Sequence, residues 1–397
     1  MLKIFLEKAV KTVLSLFICS SPLFLTGCWD RVELNDLGLV LATGLDKTED
    51  EQIEVSVQLA VPEAMGGEAT ASGQGGAGKT ITVEKAIGKT IFEALSRLQA
   101  RFSRRIFWGH NQVIIIGEDL AESEVQKHID FFARFPKARL KSYIFVTSGK
   151  AIDVLKAIPD VDRSSAEVAR ELANFRIGMA VTVKDFLEEL SGEANAVGLP
   201  WIEVKKESFS KGLQVNGTAI LKDGKMIGYI DDKLTRGLLW LRNEMESSTV
   251  TVQPEGYHDQ ISFYLLHSYT KLIPKMENGK WKMIVKIVTE DDAVENETNL
   301  NLTNPVITKK LEKELEKTIE TRIKMTLEVV QKKMGADILG FAEAFHRHYP
   351  DEWEKVKDQW DKKFPEIEVE IKNNAYIRRS GVSTSSKVVS KEEVFKK

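Results

Sequence analysis

Residues 112–158 read QVIIIGEDLAESEVQKHIDFFARFPKARLKSYIFVTSGKAIDVLKAI, and the order of patterns in this stretch decides the fold of the first half of the chain. Gln112 to Ile116 is a short apolar run of β-branched residues, which reads as a buried strand. Asp119 to Phe135 is helical, Leu140 to Val146 is a strand, and Gly149 to Ile158 is helical again. Strands alternating with helices at this spacing require crossover connections, so at least part of the sheet pairs in parallel.

Upstream, LGLVLATGLDK at Leu37 to Lys47 is an apolar strand, and IEVSVQLA within Gln52 to Ala60 alternates as a half-buried strand does. Met65 to Gly78 collapses to Gly, Ala, Ser, Thr and Gln, and is expected to be a flexible insertion (65–79). Val83 to Phe102 has the spacing of an amphipathic helix, with Ile87, Ile91, Ala94, Leu95 and Leu98 on one face. Downstream come helices at Ser164 to Phe175 and Val183 to Leu190. The Gly192 to Pro200 stretch then reads as a loop and domain boundary.

Past that point the character changes. Gly217 to Leu221 and Met226 to Ile230 flank Asp223-Gly224, and Ile261 to Met276 and Trp281 to Thr289 flank Asn278-Gly279; both dipeptides are strong hairpin signals. A helix is predicted over Asp231 to Met245 and a strand over Ser248 to Val252. Thr308 to Met334 is the longest helix, with Leu311, Leu315, Ile319, Ile323, Leu327, Val330 and Met334 as a narrow stripe among charges. Its spacing of mostly four lacks the alternating rhythm of a coiled coil, so it is expected to pack on its own domain's sheet. Helices at Asp337 to His346 and Asp351 to Lys363 and a strand at Ile367 to Ile377 complete the pattern.

The expected fold class is therefore α+β and multi-domain. An N-terminal α/β domain (28–207) carries alternating strands and helices on a mixed sheet. A middle hairpin and helix domain (208–256) leads into a C-terminal α+β domain (257–381) with antiparallel hairpins on a long helix. A disordered tail (382–397) follows.

The N-terminus sets the compartment. Lys3, Lys8 and Lys11 precede an apolar run from Thr12 to Leu25, interrupted by serines and Pro22 and too short for a comfortable span of about 20 residues. Leu25-Thr26-Gly27-Cys28 ends it as a lipoprotein signal would, so 1–27 is expected to be removed. Cys28 then becomes the first residue. Its sulfur carries a diacylglycerol, and its new amine is available for an N-acyl chain. Two acyl chains make a stable anchor where one does not. The mature chain keeps a single cysteine, because Cys19 leaves with the signal, and no internal disulfide can form. Its formal charge moves from −3 to about −5 once three lysines and one glutamate are removed. Nothing in that balance suggests a nucleic-acid binder.

Chemistry-bearing motifs are sparse. Gly73 to Thr80 matches the phosphate-loop pattern GxxxxGKT, with Val113 to Asp119 as an apparent second motif. The residues before it cannot form the strand that such a loop needs, so it is read as part of the flexible insertion. His346 and His348 lie two apart on a helix and diverge, which argues against a shared metal. Glu188-Glu189 and Asp291-Asp292 are read as solvated acids. The aromatics around Phe102, Phe107 and Trp108, and around Tyr349, Trp353 and Trp360, are read as core. With no nucleophile elbow and no catalytic cysteine, the expectation is no catalytic residue, no cofactor, no metal and no enzyme.

Several strings taken in order resemble one family, the C subunits of nutrient germinant receptors from spore-forming bacteria (the Ger(x)C lipoproteins). They are GCWDRVELNDLGLVLATGLD (27–46), GKTIFEAL (88–95), FWGHNQVIIIGEDLA (107–121) and DFFARFPKARLKSYIFVTSGKA (130–151). NGTAILKDGKMIGYIDDKLTRGLLWLRN (216–243), ADILGFAEAFHRHYPDEW (336–353) and IRRSG (377–381) continue it. The resemblance implies a membrane-tethered, non-enzymatic subunit beside two integral-membrane partners in the inner spore membrane, responding to nutrients. Cys28 is the one residue it assigns, as lipid attachment site. The rival reading is an extracytoplasmic solute-binding lipoprotein of a transporter. That class has two similar lobes joined by hinge crossovers, whereas the two halves here are dissimilar.

Overall fold

The computed structural model describes residues 11–15, 36–60, 81–157, 162–207 and 210–379. Cys28, the Gly-rich insertion and the expected tail (382–397) lie outside the described residues.

The first sheet is built from β1 (Leu37–Lys47), β2 (Ile53–Ala60), β3 (Ile81–Gly88), β4 (Arg105–Phe107), β5 (Val113–Gly117), β6 (Tyr143–Thr147), β7 (Ala196–Glu207), β8 (Ser210–Lys222) and β9 (Lys225–Ile230). Their order is β3-β2-β1-β5-β6-β7-β8-β9, with β4 beside the start of β1. β1, β5, β6 and β7 run parallel, with β4 also parallel to β1, while β2, β3, β8 and β9 pair antiparallel, giving the mixed sheet that residues 112–158 require. β5 shows why: all five of its residues are buried, with Ile114 and Ile116 in one apolar cluster and Val113 and Ile115 in another. A strand buried on both faces needs helices on both sides. α1 (Ile91–Arg101), α2 (Gln126–Arg134) and α5 (Val183–Leu190) cover the first face. α3 (Ala151–Lys156) and α4 (Ser165–Asn174) cover the second.

Three local expectations change. β2 is buried along its whole length, not half-buried. Its polar residues face α3 and α4, where the Gln58 amide donates to Leu155 O (2.8 Å) and Ser165 Oγ (2.9 Å) and accepts from Ala166 N (3.2 Å). The helix expected from Val83 begins only at Thr90, whose hydroxyl caps it by accepting from Glu93 N. Residues 81–88 are strand β3, as the β-branched Ile81, Thr82 and Val83 favour, and Ile87 is exposed. The Gly192 to Pro200 loop is in large part strand β7: Gly198 lets Thr218 approach closely and Pro200 sits at a bulge. The 207/208 boundary consequently falls at the tip of a hairpin, with Glu207 paired to Ser210. β8 and β9 extend the first sheet.

The second sheet is β10 (Thr249–Val252), β11 (Ile261–Glu277), β12 (Lys280–Asn296) and β13 (Glu368–Arg379), in that order. Both hairpin turns have the left-handed backbone that Asp-Gly and Asn-Gly supply, at Asp223 (φ 50°) with Gly224 (φ 75°) and Asn278 (φ 53°) with Gly279 (φ 76°). β13 pairs parallel to β12, which takes a long crossover. That crossover contains α7 (Pro305–Leu327), capped by Asn304 with Pro305 in its first turn, and a π-helical extension over Glu328–Met334 that stops at Gly335 (φ 60°). Leu311, Leu315, Ile319, Ile323 and Leu327 are buried as a row, at about 1.5–3 kcal/mol each.

α7 joins the two sheets. It crosses α6 (Asp232–Leu241) so closely that a Cβ at Gly237 would lie 2.1 Å from Thr326 Oγ1 and 2.8 Å from Arg322 O. Thr326 also donates to Leu234 O (2.8 Å). At its other end Glu316 accepts from Ala375 N and Glu312 from Ile377 N, both at 3.2 Å. α7 thus lies along the edge strand β13 and caps its open donors. One apolar cluster runs unbroken from α1 to β13.

Candidate interaction surfaces

The sequence motifs meet different ends. Cys28 and Gly73 to Thr80 lie outside the described residues, but the residues after Thr80 form strand β3. A phosphate loop must feed a helix N-terminus, so the topology removes that reading. Asp119, its apparent second motif, is exposed on a single turn (Glu118–Ala121). His346 pairs with Glu193 (2.8 Å) and stacks on Trp353, while His348 contacts Ala344 O (3.0 Å). The two rings have separate partners. Among the described residues no group of three or more His, Cys, Asp or Glu is placed to hold a metal.

The acid pairs are not simply solvated. Asp291, on the buried face of β12, accepts from Thr289 Oγ1 (2.8 Å) and has no partner for Oδ1. Burial pushes its carboxyl up to about 6, against the pull of the Thr289 hydrogen bond. Asp46, at the C-terminal end of β1, receives Ala151 N (2.6 Å) and Ile152 N (3.2 Å) from the start of α3. Burial pushes it up to about 6 as well, opposed by those two amides.

Glu189 joins a polar junction between the two units that sequence reasoning missed. The buried Arg242 guanidinium, just after α6, reaches Glu189 of α5 (2.7 Å), Glu244 (2.9 Å) and the carbonyl of Ile338 (2.7 Å). Burial works against its charge, but the two carboxylates hold the guanidinium above its usual range. Nearby, Lys222 bonds Gly335 O (3.0 Å) and Asp361 (2.6 Å). Asp337 is buried and accepts from the amides of Leu339, Phe341 and Ala342 at the start of α8 (Phe341–His348) and from Trp360 Nε1. Around it, Trp281, Phe345, Trp353 and Trp360 pack with ring centroids 4.6–6.1 Å apart. The tryptophans expected in the core are there, whereas Phe107 is 41% exposed. The only sequence signal for the junction is the density of aromatics in 341–364.

A second surface is an open groove of about 860 Å³ between α7 and the 253–257 turn. Lys310, Lys313 and Lys317 line one wall, and Glu255 and Tyr257 the other. Neither the junction nor the groove presents a nucleophile with a base beside it.

Comparison with known proteins covers nearly the whole fold. Residues 30–204 match the family described as "Spore germination protein N-terminal domain", and residues 216–381 match "Spore germination B3/ GerAC like, C-terminal". The interval between them contains the β7–β8 hairpin tip. The chain is 31% identical to the putative spore germination protein YfkR of Bacillus subtilis over 94% of its own length and 97% of that protein's. It is 29% identical to spore germination protein KC of the same organism, over 94% and 96%. The crystal structure of the GerBC protein superposes with a TM-score of 0.54 at 20% identity, covering 85% of this chain and 97% of that one. That likeness places the two-sheet architecture in a known fold.

Proposed function

The chain belongs to the family of GerAC-like spore germination proteins, and on that premise we propose that it is the lipid-anchored C subunit of a nutrient germinant receptor. The observation that carries this is coverage: both family domains match in order, and the relatives named for spore germination align end to end. The protein works through its surfaces, beside two integral-membrane subunits, at the extracytoplasmic face of the inner spore membrane. Cys28, with its diacylglycerol, keeps the folded units close to those partners and raises their effective concentration. Two dissimilar sheets locked by Arg242 and α7 suit a rigid adaptor better than the paired lobes and hinge of a solute-binding protein.

Deletion of the gene is expected to impair germination on particular nutrients while growth and sporulation stay normal. An unchanged germination profile, in a strain without a redundant homologue, counts against the assignment. Cys28→Ala is expected to shift the protein from membrane to soluble fractions and to lower the germination response. If that variant stays in the membrane pellet, protein contacts rather than acyl chains provide the anchor.

A further inference from the structure

The point where the chain enters the fold is surrounded by a cationic and aromatic surface. Leu37, the first residue of β1, pairs directly with Arg105 of β4, and Leu39 with Phe107. A Cβ at Gly38 would fall 2.6 Å from the Phe102 ring, so the entering strand lies tight against this segment. Trp108 meets Phe135 at 6.1 Å between centroids, Phe135 stacks on Phe131 at 5.2 Å, and Phe92 meets Phe135 edge-on at 6.5 Å. Ser142 Oγ donates to Asn111 O (2.7 Å), tying the segments that lead into β5 and β6 side by side. All of these elements gather where the parallel strands begin.

Three large apolar side chains are exposed on this surface. Phe92 is 59% exposed, Phe107 41% and Leu140 44%. Along the two segments beside them the charge has one sign, and the nearby acids Glu93 and Asp130 are paired with Arg97 and Arg134. Residues 101–110 and 134–141 contain no acid, although the whole chain is formally −3. Arg101, Arg105, Lys137, Arg139 and Lys141 are exposed there and make no ion pair among the described residues. Exposed aromatics ringed by unpaired cations suit a surface that is anionic outside and apolar just beneath.

We propose that this end of the first unit lies against the anionic headgroups of the membrane, fixing the orientation of the tethered protein. The placement rests on the reading of Cys28 as the lipid anchor. Eight residues lie between Cys28 and Leu37, so the nine steps from one to the other, at about 3.3–3.6 Å each, span at most about 32 Å. An anchor on so short a leash holds the Arg105 end of the sheet near the bilayer whatever the other faces do. An acidic protein segment would also meet the charge, but the leash brings the lipid surface to it first. The lysine-lined groove on α7 has no such link to the anchor.

The test uses the mature chain without acyl groups (residues 29–397, spanning both family domains), so that it does not depend on lipidation. Its flotation is measured with vesicles of phosphatidylcholine alone and with vesicles carrying phosphatidylglycerol. Binding to the anionic vesicles only, abolished at high salt, is expected. Arg105→Glu with Arg139→Glu should weaken it at least about tenfold with an unchanged thermal midpoint. Lys310→Glu with Lys313→Glu should leave it intact. Failure to bind anionic vesicles, equal binding to both kinds, or loss through the α7 pair but not the Arg105 pair each overturns the proposal. Cys28→Ala fractionation in cells reports on the anchor separately.

Discussion

Asp291 carries a cost that pH can switch off. Its carboxyl is buried, has one hydrogen bond, and is pushed up to about 6, whereas in the unfolded chain it ionises near the ordinary 3.8. Between those values the folded form holds the proton more tightly than the unfolded form does. Stability therefore falls as pH rises from about 4 to about 6, and the full penalty persists above that. Asp291→Asn removes the ionisation and keeps an acceptor for Thr289. It is expected to stabilise the protein by about 1–3 kcal/mol at pH 7.5 and by almost nothing at pH 3.5. Thermal midpoints of both proteins across that range check it; an equal gain at both ends would mean that packing, not charge, is at issue. Asp46 has the same elevation but spends its oxygens on two amides of α3, so the corresponding substitution there sacrifices an anchor.

Among the elements, α7 does two jobs, and its sequence announced neither. Its row of leucines and isoleucines at intervals of four was legible, and so were both hairpins, because Asp-Gly and Asn-Gly dictate backbone conformation locally. Asp223 and Asn278 needed no tertiary context. β2, β3 and β7 were less legible because tertiary packing decides them. Gln58 looks solvent-facing until α3 and α4 close over it, and Gly198 and Pro200 look like a loop until β8 pairs alongside. The flanks of Cys28 carry the proposal of a lipid anchor, whereas no local signal announced the Arg242 junction, since Glu189 and Ile338 lie 53 and 96 residues away. The acids of α7 hold another such long-range role. Glu312 and Glu316 reach β13 and occupy amides that would otherwise be exposed on an edge strand. Glu312→Ala with Glu316→Ala is expected to cost about 1–3 kcal/mol and to produce concentration-dependent association through β13. Light scattering over a dilution series measures this, and a variant that stays monodisperse at high concentration shows that the edge is protected by other means.

At the scale of the whole molecule, the question is whether the two sheets move as one body. The apolar cluster continues across them, α7 crosses α6 at Gly237 with no room for a methyl group, and Arg242 ties α5 to the turn before α8. A buried arginine in contact with two carboxylates adds little net stability over an apolar replacement of the whole group, but removing the cation alone strands its partners. Arg242→Met should therefore cost about 3–5 kcal/mol and split the unfolding transition in calorimetry, the first unit separating from the second. Arg242→Met combined with Glu189→Met should recover part of that loss, because one of the two stranded carboxylates goes with it while Glu244 remains. On the proposed role of a rigid adaptor this coupling is needed, so the germination response should follow the calorimetry: lowered in the single variant and raised again in the double. A single variant that unfolds in one step at nearly the original temperature would place the cohesion in the aromatic cluster around Trp360 instead. A double variant that is stable yet silent would mean that the ion pair has a role in signalling beyond holding the units together.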